Sequence, residues 1–147
     1  MKKRKIIRVE ATSIGKYTGK NDDGIFIGQN FAAVIDGVSN RSTIELNGKK
    51  VKMAEIITEA IKKLDSYNSP QYAKELNFQE FIMYINMYVR KYCEYKGHEL
   101  KENELEATAA IYSKYHNQIW MVGDCRAVYD GNLVQNELEI DKLYIRT

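Results

Sequence analysis

Hydrophobic positions along this chain change period twice, from alternation to a helical repeat and back, which predicts strands, then two helices, then strands. Residues 5–13 set Ile7 and Val9 against Arg8 and Glu10 as an opening strand, broken by Ser13-Ile14-Gly15. Gly24 to Gly28 and Phe31 to Asp36 are short apolar runs joined through Gly28-Gln29-Asn30, so they are expected to pair as an antiparallel hairpin. That pairing would bring Asp23, which enters the hairpin, beside Asp36, which leaves it. From Val51 to Ser66, Met53, Ile56, Ile57, Ala60, Ile61 and Leu64 recur on one helical face. Ser66 to Pro70 breaks the chain before a second helix, whose stripe is Phe78, Phe81, Ile82, Ile85, Tyr88, Val89, Tyr92 and Cys93. Asn77 and Glu80 form a capping-box pattern at its start, with Leu76 and Phe81 at the positions of a hydrophobic staple. Gly97 to Glu104 reads as a polar surface loop. Thr108 to Ser113 and Gln118 to Val122 flank the turn Lys114-Tyr115-His116-Asn117, and Ala127-Val128-Tyr129 passes through Asp130-Gly131 into Leu133-Val134. Segregated strands and helices predict an α+β fold of antiparallel β-sheets with two long helices.

Composition narrows the function classes. A chain of 147 residues is one domain's worth. At 44% hydrophobic and 29% charged it is neither a disordered segment nor a membrane-length apolar run. Met1-Lys2-Lys3-Arg4-Lys5 imitates the start of a signal peptide, but Arg8 and Glu10 follow Ile6-Ile7 at once, so the expected location is cytoplasmic. A net charge of +2 offers no field for nucleic acid or an anionic membrane. Cys93 and Cys125 sit in no zinc-like spacing and read as packed thiols.

Several chemistries fail on spacing. Gly15-Lys16-Tyr17-Thr18-Gly19-Lys20 is one residue short of a phosphate loop and has Asn21 where the magnesium-binding hydroxyl belongs. Asn21-Asp22-Asp23-Gly24 lacks the alternating acidic positions and closing Glu of a calcium loop. His98 and His116 have no partners for a zinc site or a nucleophilic triad, and read as surface histidines. The acidic set remains: Asp22 and Asp23 at one strand start, and Asp36 with Gly37 at a strand end. Carboxylates and carbonyls are hard oxygen ligands that select magnesium, manganese or calcium. The competing reading is that these are turn and cap residues in an unrelated α+β domain.

Asn21-Asp22-Asp23, Val34-Ile35-Asp36-Gly37, Ala107-Thr108-Ala109 and Val122-Gly123-Asp124-Cys125-Arg126-Ala127-Val128, in that order with two helices between the second and third, resemble the motifs of the metal-dependent protein phosphatase 2C family. The resemblance implies an α-β-β-α sandwich with two manganese or magnesium ions at one end. It implies that Asp36 bridges both ions, that Asp22 and the Gly37 carbonyl hold one, that Asp23 supports the other, and that Asp124 helps bind a third. The implied reaction is attack of a metal-activated water on phosphoserine or phosphothreonine, with no catalytic side chain beyond that water.

The sequence also departs from the family's pattern. Val38 stands where many relatives carry His, and Thr18 where an Arg grips the phosphate; Lys16 or Lys20 is only a point charge there. The acidic pair is Asp-Asp where Glu-Asp is usual, and the later Asp-Gly and Asp-Asn have no counterpart, since Asp130-Gly131 lies too early. The expectation is a single bacterial-type phosphatase 2C-like domain over residues 1–147, stopping short at its C-terminus, with weak or no hydrolase activity as this chain. The alternative is a non-catalytic binding or oligomerisation module. The expected partners are a phosphoprotein substrate and a second copy or another polypeptide covering an open sandwich face; the segment Glu137 to Thr147 could also cover it.

Overall fold

The two apolar runs before residue 40 pair as their sequence predicts. The computed structural model describes residues 23–38, 41–66, 69–101 and 104–123 and, for their backbone, 125–129, 132–136 and 143–146. Strands β1 (Gly24–Ile27) and β2 (Phe31–Gly37) run antiparallel, with Gly24 opposite Ile35 and Ile27 opposite Ala32. The strand expected over 5–13 lies outside the described residues.

A second hairpin follows, β3 (Thr43–Leu46) with β4 (Lys49–Lys52). Asn47 and Gly48 connect it at φ of 53° and 76°, the positive pair that a two-residue type I′ turn requires. Helix α1 (Met53–Asp65) therefore starts two residues after the expected Val51, because Val51 and Lys52 are held by β3. A single 3-10 segment, Gln71–Glu75, precedes α2 (Phe78–Tyr95). The predicted capping box is present: Glu80 N–H donates to Asn77 Oδ1 at 2.9 Å, and Asn77 N–H donates to Glu80 Oε1 at 3.1 Å.

The chain then returns to strand as expected. β5 (Ala107–Ser113), β6 (Gln118–Val122), β7 (Cys125–Tyr129), β8 (Asn132–Asn136) and β9 (Leu143–Arg146) complete the fold. One sheet has the order β1-β2-β5-β6-β9, all neighbours antiparallel; β7 and β8 form a separate hairpin in which Tyr129 faces Asn132 across the predicted turn. The C-terminal stretch thus supplies a sheet strand, β9, that the sequence reading missed.

One face of the large sheet carries the core. Phe31, Ala33, Ile35, Ile111 and Trp120 join the inner stripes of both helices in one buried cluster. Phe31 lies 5.0 Å from Phe81, and Trp120 lies 5.2 Å from Phe81 and 5.7 Å from Phe78. Losing a fully buried aromatic of this kind costs about 3–5 kcal/mol. The opposite face is uneven: Met121 is fully buried on it where β7 packs against β5 and β6, whereas Ile27 and Val34 are 45% and 54% exposed over β1 and β2.

Neither histidine is the free surface group expected. His98 pairs with Glu104 at 2.7 Å, and His116 is half-buried against Trp120 with Nε2 at 3.0 Å from the Glu75 and Leu76 carbonyls. Cys93 is a buried free thiol, as expected, and burial pushes it up from its ordinary pKa. Among the described residues no helix is long and apolar enough to cross a membrane.

Candidate metal centre

Asp36 ends the apolar run of β2 and Asp23 immediately precedes β1. Because Gly24 pairs with Ile35, continuing the register by one residue sets Asp23 across from Asp36. Their side chains hydrogen-bond to each other. Partial burial of the Asp36 carboxyl, then this hydrogen bond, then the charge on Asp23 push its pKa up to about 6 from 3.8. The residue as a whole stays open to solvent, so its pairing with a second carboxyl is the feature of functional weight.

Two glycines let the backbone close around this pair. A Cβ on Gly24 would sit 3.0 Å from Thr58 Oγ1 and 3.2 Å from the Ala54 Cβ, so glycine here allows β1 to approach α1 right beside Asp23. Gly123 follows β6 at φ 76°, and a Cβ there would meet Thr108 Cγ2 at 2.5 Å and its Cβ at 3.0 Å. Thr108 is the register partner of Asp36. The turn leading to Asp124 is thus laid on the side chain next to Asp36, and three sequence blocks distant along the chain meet at one end of the sheet.

Gly37 continues β2 opposite Ala107, and beyond it Val38 N–H donates to the Glu106 carbonyl at 3.1 Å. Arg41 pairs with Glu106 at 3.4 Å, and Glu106 N–H donates to the Arg41 carbonyl at 2.7 Å. Asp22 and Asp124, the other two predicted ligands, lie outside the described residues. Among the described residues no cluster of three or more metal-ligating side chains occurs, and of the predicted carboxylate ligands the described residues include Asp23 and Asp36.

Sequence reasoning did not single out Thr108 as a site residue. Its Oγ1 is buried and without a hydrogen-bond partner among the described residues, an arrangement that costs stability unless something arrives to use it. The visible signal was its place in the middle of Ala107-Thr108-Ala109, a polar residue in a β-rich run opposite Asp36.

The donor set fits a hard divalent cation. Two carboxylates forced together repel when both are ionised, and a cation between them removes the repulsion while satisfying their oxygens. No protein-family profile matches the chain, and no curated protein matches it in sequence. Among solved structures, the chain is similar to the serine/threonine phosphatase PstP/Ppp of Mycobacterium tuberculosis, with 18% identity, a TM-score of 0.50, and coverage of 84% of this chain and 49% of that one. The chain therefore spans about half the length of that phosphatase. At this identity the likeness shows fold, and the fold is that of the N-terminal part of a phosphatase 2C-type domain.

Proposed function

We propose that residues 1–147 act as one phosphatase 2C-like domain whose Asp23–Asp36 pair is the nucleus of a manganese or magnesium site, completed by Asp22, the Gly37 carbonyl and Asp124. The observation that carries this reading is two carboxyls pressed together at the end of a β-hairpin in a phosphatase-type fold. When bound, divalent cations of this kind lower the pKa of a water and polarise a phosphoryl oxygen, which is the chemistry of phosphoserine and phosphothreonine hydrolysis. The chain's own part is positional. β1 and β2 hold the two carboxylates side by side, Gly123 lies against Thr108, and Arg41 pairs with Glu106.

Val38, two residues beyond Asp36, provides no proton donor of its own. The reading places the protein in the cytoplasm of a bacterium, acting on phosphoproteins, with a second copy or a partner chain over the face that exposes Ile27 and Val34. That exposed face also supports the second reading, a non-catalytic module that uses the fold to bind.

Hydrolysis of p-nitrophenyl phosphate with and without manganese, on this chain and on Asp36→Asn, separates the two. Manganese-stimulated turnover that the substitution abolishes supports the enzyme. Equal inactivity of two folded proteins supports the module.

A further inference from the structure

Beside its fully buried stripe, helix α2 carries a row of half-buried tyrosines that pack against the core. Tyr84, Tyr88 and Tyr92 follow one another at one-turn spacing, with centroids 6.3 and 6.5 Å apart, the first pair tilted and the second stacked, while Met87 is 52% and Tyr95 89% exposed. These residues, with Lys63 of α1 and Lys91 of α2, line a groove of about 500 Å³. The site holding Asp23 and Asp36 shares none of them. Single exposed apolar residues need no explanation, but a concave array of four tyrosines and a methionine does.

The lining selects its occupant by charge. The lining holds two ammonium groups and no carboxylate, although Glu59 and Glu55 of α1 lie close enough to raise the Tyr92 pKa. Lys63 Nζ lies 5.1 Å from the Tyr88 ring centre, and Lys96 Nζ, just beyond the groove, lies 5.8 Å from that of Tyr92. Burial first, and then the charge of Glu59, hold the Tyr92 hydroxyl above its usual pKa, so it stays a hydrogen-bond donor at neutral pH. Phenol and ammonium donors around an apolar floor suit a carboxylate-bearing partner that also offers an apolar side chain. Nucleic acid suits the groove less well, because Lys63 lies over the Tyr88 ring and Lys96 over that of Tyr92, on faces where a base would otherwise stack.

We propose that the tyrosine–lysine groove between α1 and α2 is a docking surface for an acidic peptide segment of a partner protein, anchored by one large apolar residue. It is independent of the metal reading and would hold for a catalytic or a non-catalytic chain.

The test is fluorescence anisotropy with a labelled Glu-rich peptide carrying a central Leu-Trp, against one control with Lys for Glu and another with Ala for the anchor, in the absence of metal. The acidic anchored peptide is expected to bind saturably and at least about tenfold more tightly than either control. Lys63→Glu with Lys91→Glu should weaken it by about tenfold or more, and so should Tyr95→Ala; Tyr95→Ala should melt as the wild type does, and the lysine pair slightly lower, because Lys63 also lies over the Tyr88 ring in the last turn of α1. Equal binding of all three peptides, no saturable binding, or affinity unmoved by these variants overturns the proposal. So does tighter binding of phosphatidylserine vesicles or single-stranded DNA, or a dimer in sedimentation that Tyr95→Ala dissolves. Loss of manganese binding in Asp36→Asn with peptide binding intact separates failure of the metal reading from failure of this one.

Discussion

Two carboxylates occupy opposite ends of the β1–β2 hairpin, and their surroundings give them different work. Asp65, the last residue of α1, is buried at the turn end; Asp36 stands at the open end. Burial raises the pKa of both. At Asp65 backbone donors answer part of that cost: Asn30 N–H reaches Oδ1 at 2.8 Å and the amides of Phe31 and Gln29 also favour the ionised form, while Oδ2 is buried without a hydrogen-bond partner among the described residues. At Asp36 the hydrogen-bond partner is another carboxyl, which raises the pKa further. A charge met by amides fastens a turn to a helix; a charge met by its like is half of a cation site.

The largest expected effect lies at the turn. A Cβ on Gly28 would fall 1.5 Å from Asp65 Oδ2, so Gly28→Ala should force the turn off α1 and lower stability by about 2–4 kcal/mol in urea unfolding. Asp65→Ala removes the acceptor for the half-buried Asn30 amide and should cost about 1–3 kcal/mol by the same measurement. If either change proves silent, the turn end is not fastened by Asp65 and the contrast fails. Gly123→Ala, strained by its positive φ and by Thr108, should cost about 1–3 kcal/mol and also weaken manganese binding, which neither turn variant should do directly.

Smaller effects sharpen the open end. A carboxyl whose folded pKa is raised binds its proton more tightly when folded, so it costs stability above that pKa and not below its unfolded value. For Asp36 that cost is present above about 6, shrinks as pH falls toward 3.8, and is absent below. Without metal, Asp36→Asn should therefore melt at or above the wild type at pH 7, and the gap should close as the pH falls to about 4. Asp65 titrates in both proteins and cancels in the difference. Thr108→Val replaces an unpartnered hydroxyl with a methyl, and should leave the metal-free melting temperature equal or slightly higher.

Most of the fold was legible because its signals are local. The Asn77–Glu80 capping box, the α1 and α2 stripes, and the glycine and asparagine turns depend on neighbours in sequence, and each appears where expected. The Asn47-Gly48 turn was equally legible and was passed over, because Val51 and Met53 also fit the helical stripe that follows. Strand β9 carried no turn signal of its own and exists through pairing with β6, a nonlocal fact. At the site, the meeting of Asp23 and Asp36 followed from hairpin register. The role of Asp65 did not, since an acidic residue ending a helix looks like ordinary surface until the turn of another hairpin is seen against it. Thr108 under Gly123 was hidden for the same reason.

The central claim is that Asp23 and Asp36 together receive a divalent cation. Isothermal titration of manganese into the wild-type chain and into Asp36→Asn at pH 7, with the melting temperature followed alongside, tests it most directly. The account predicts saturable binding and a raised melting temperature in the wild type, with both lost in a variant that remains folded. Binding of equal strength in the two proteins, or none in either, would contradict it.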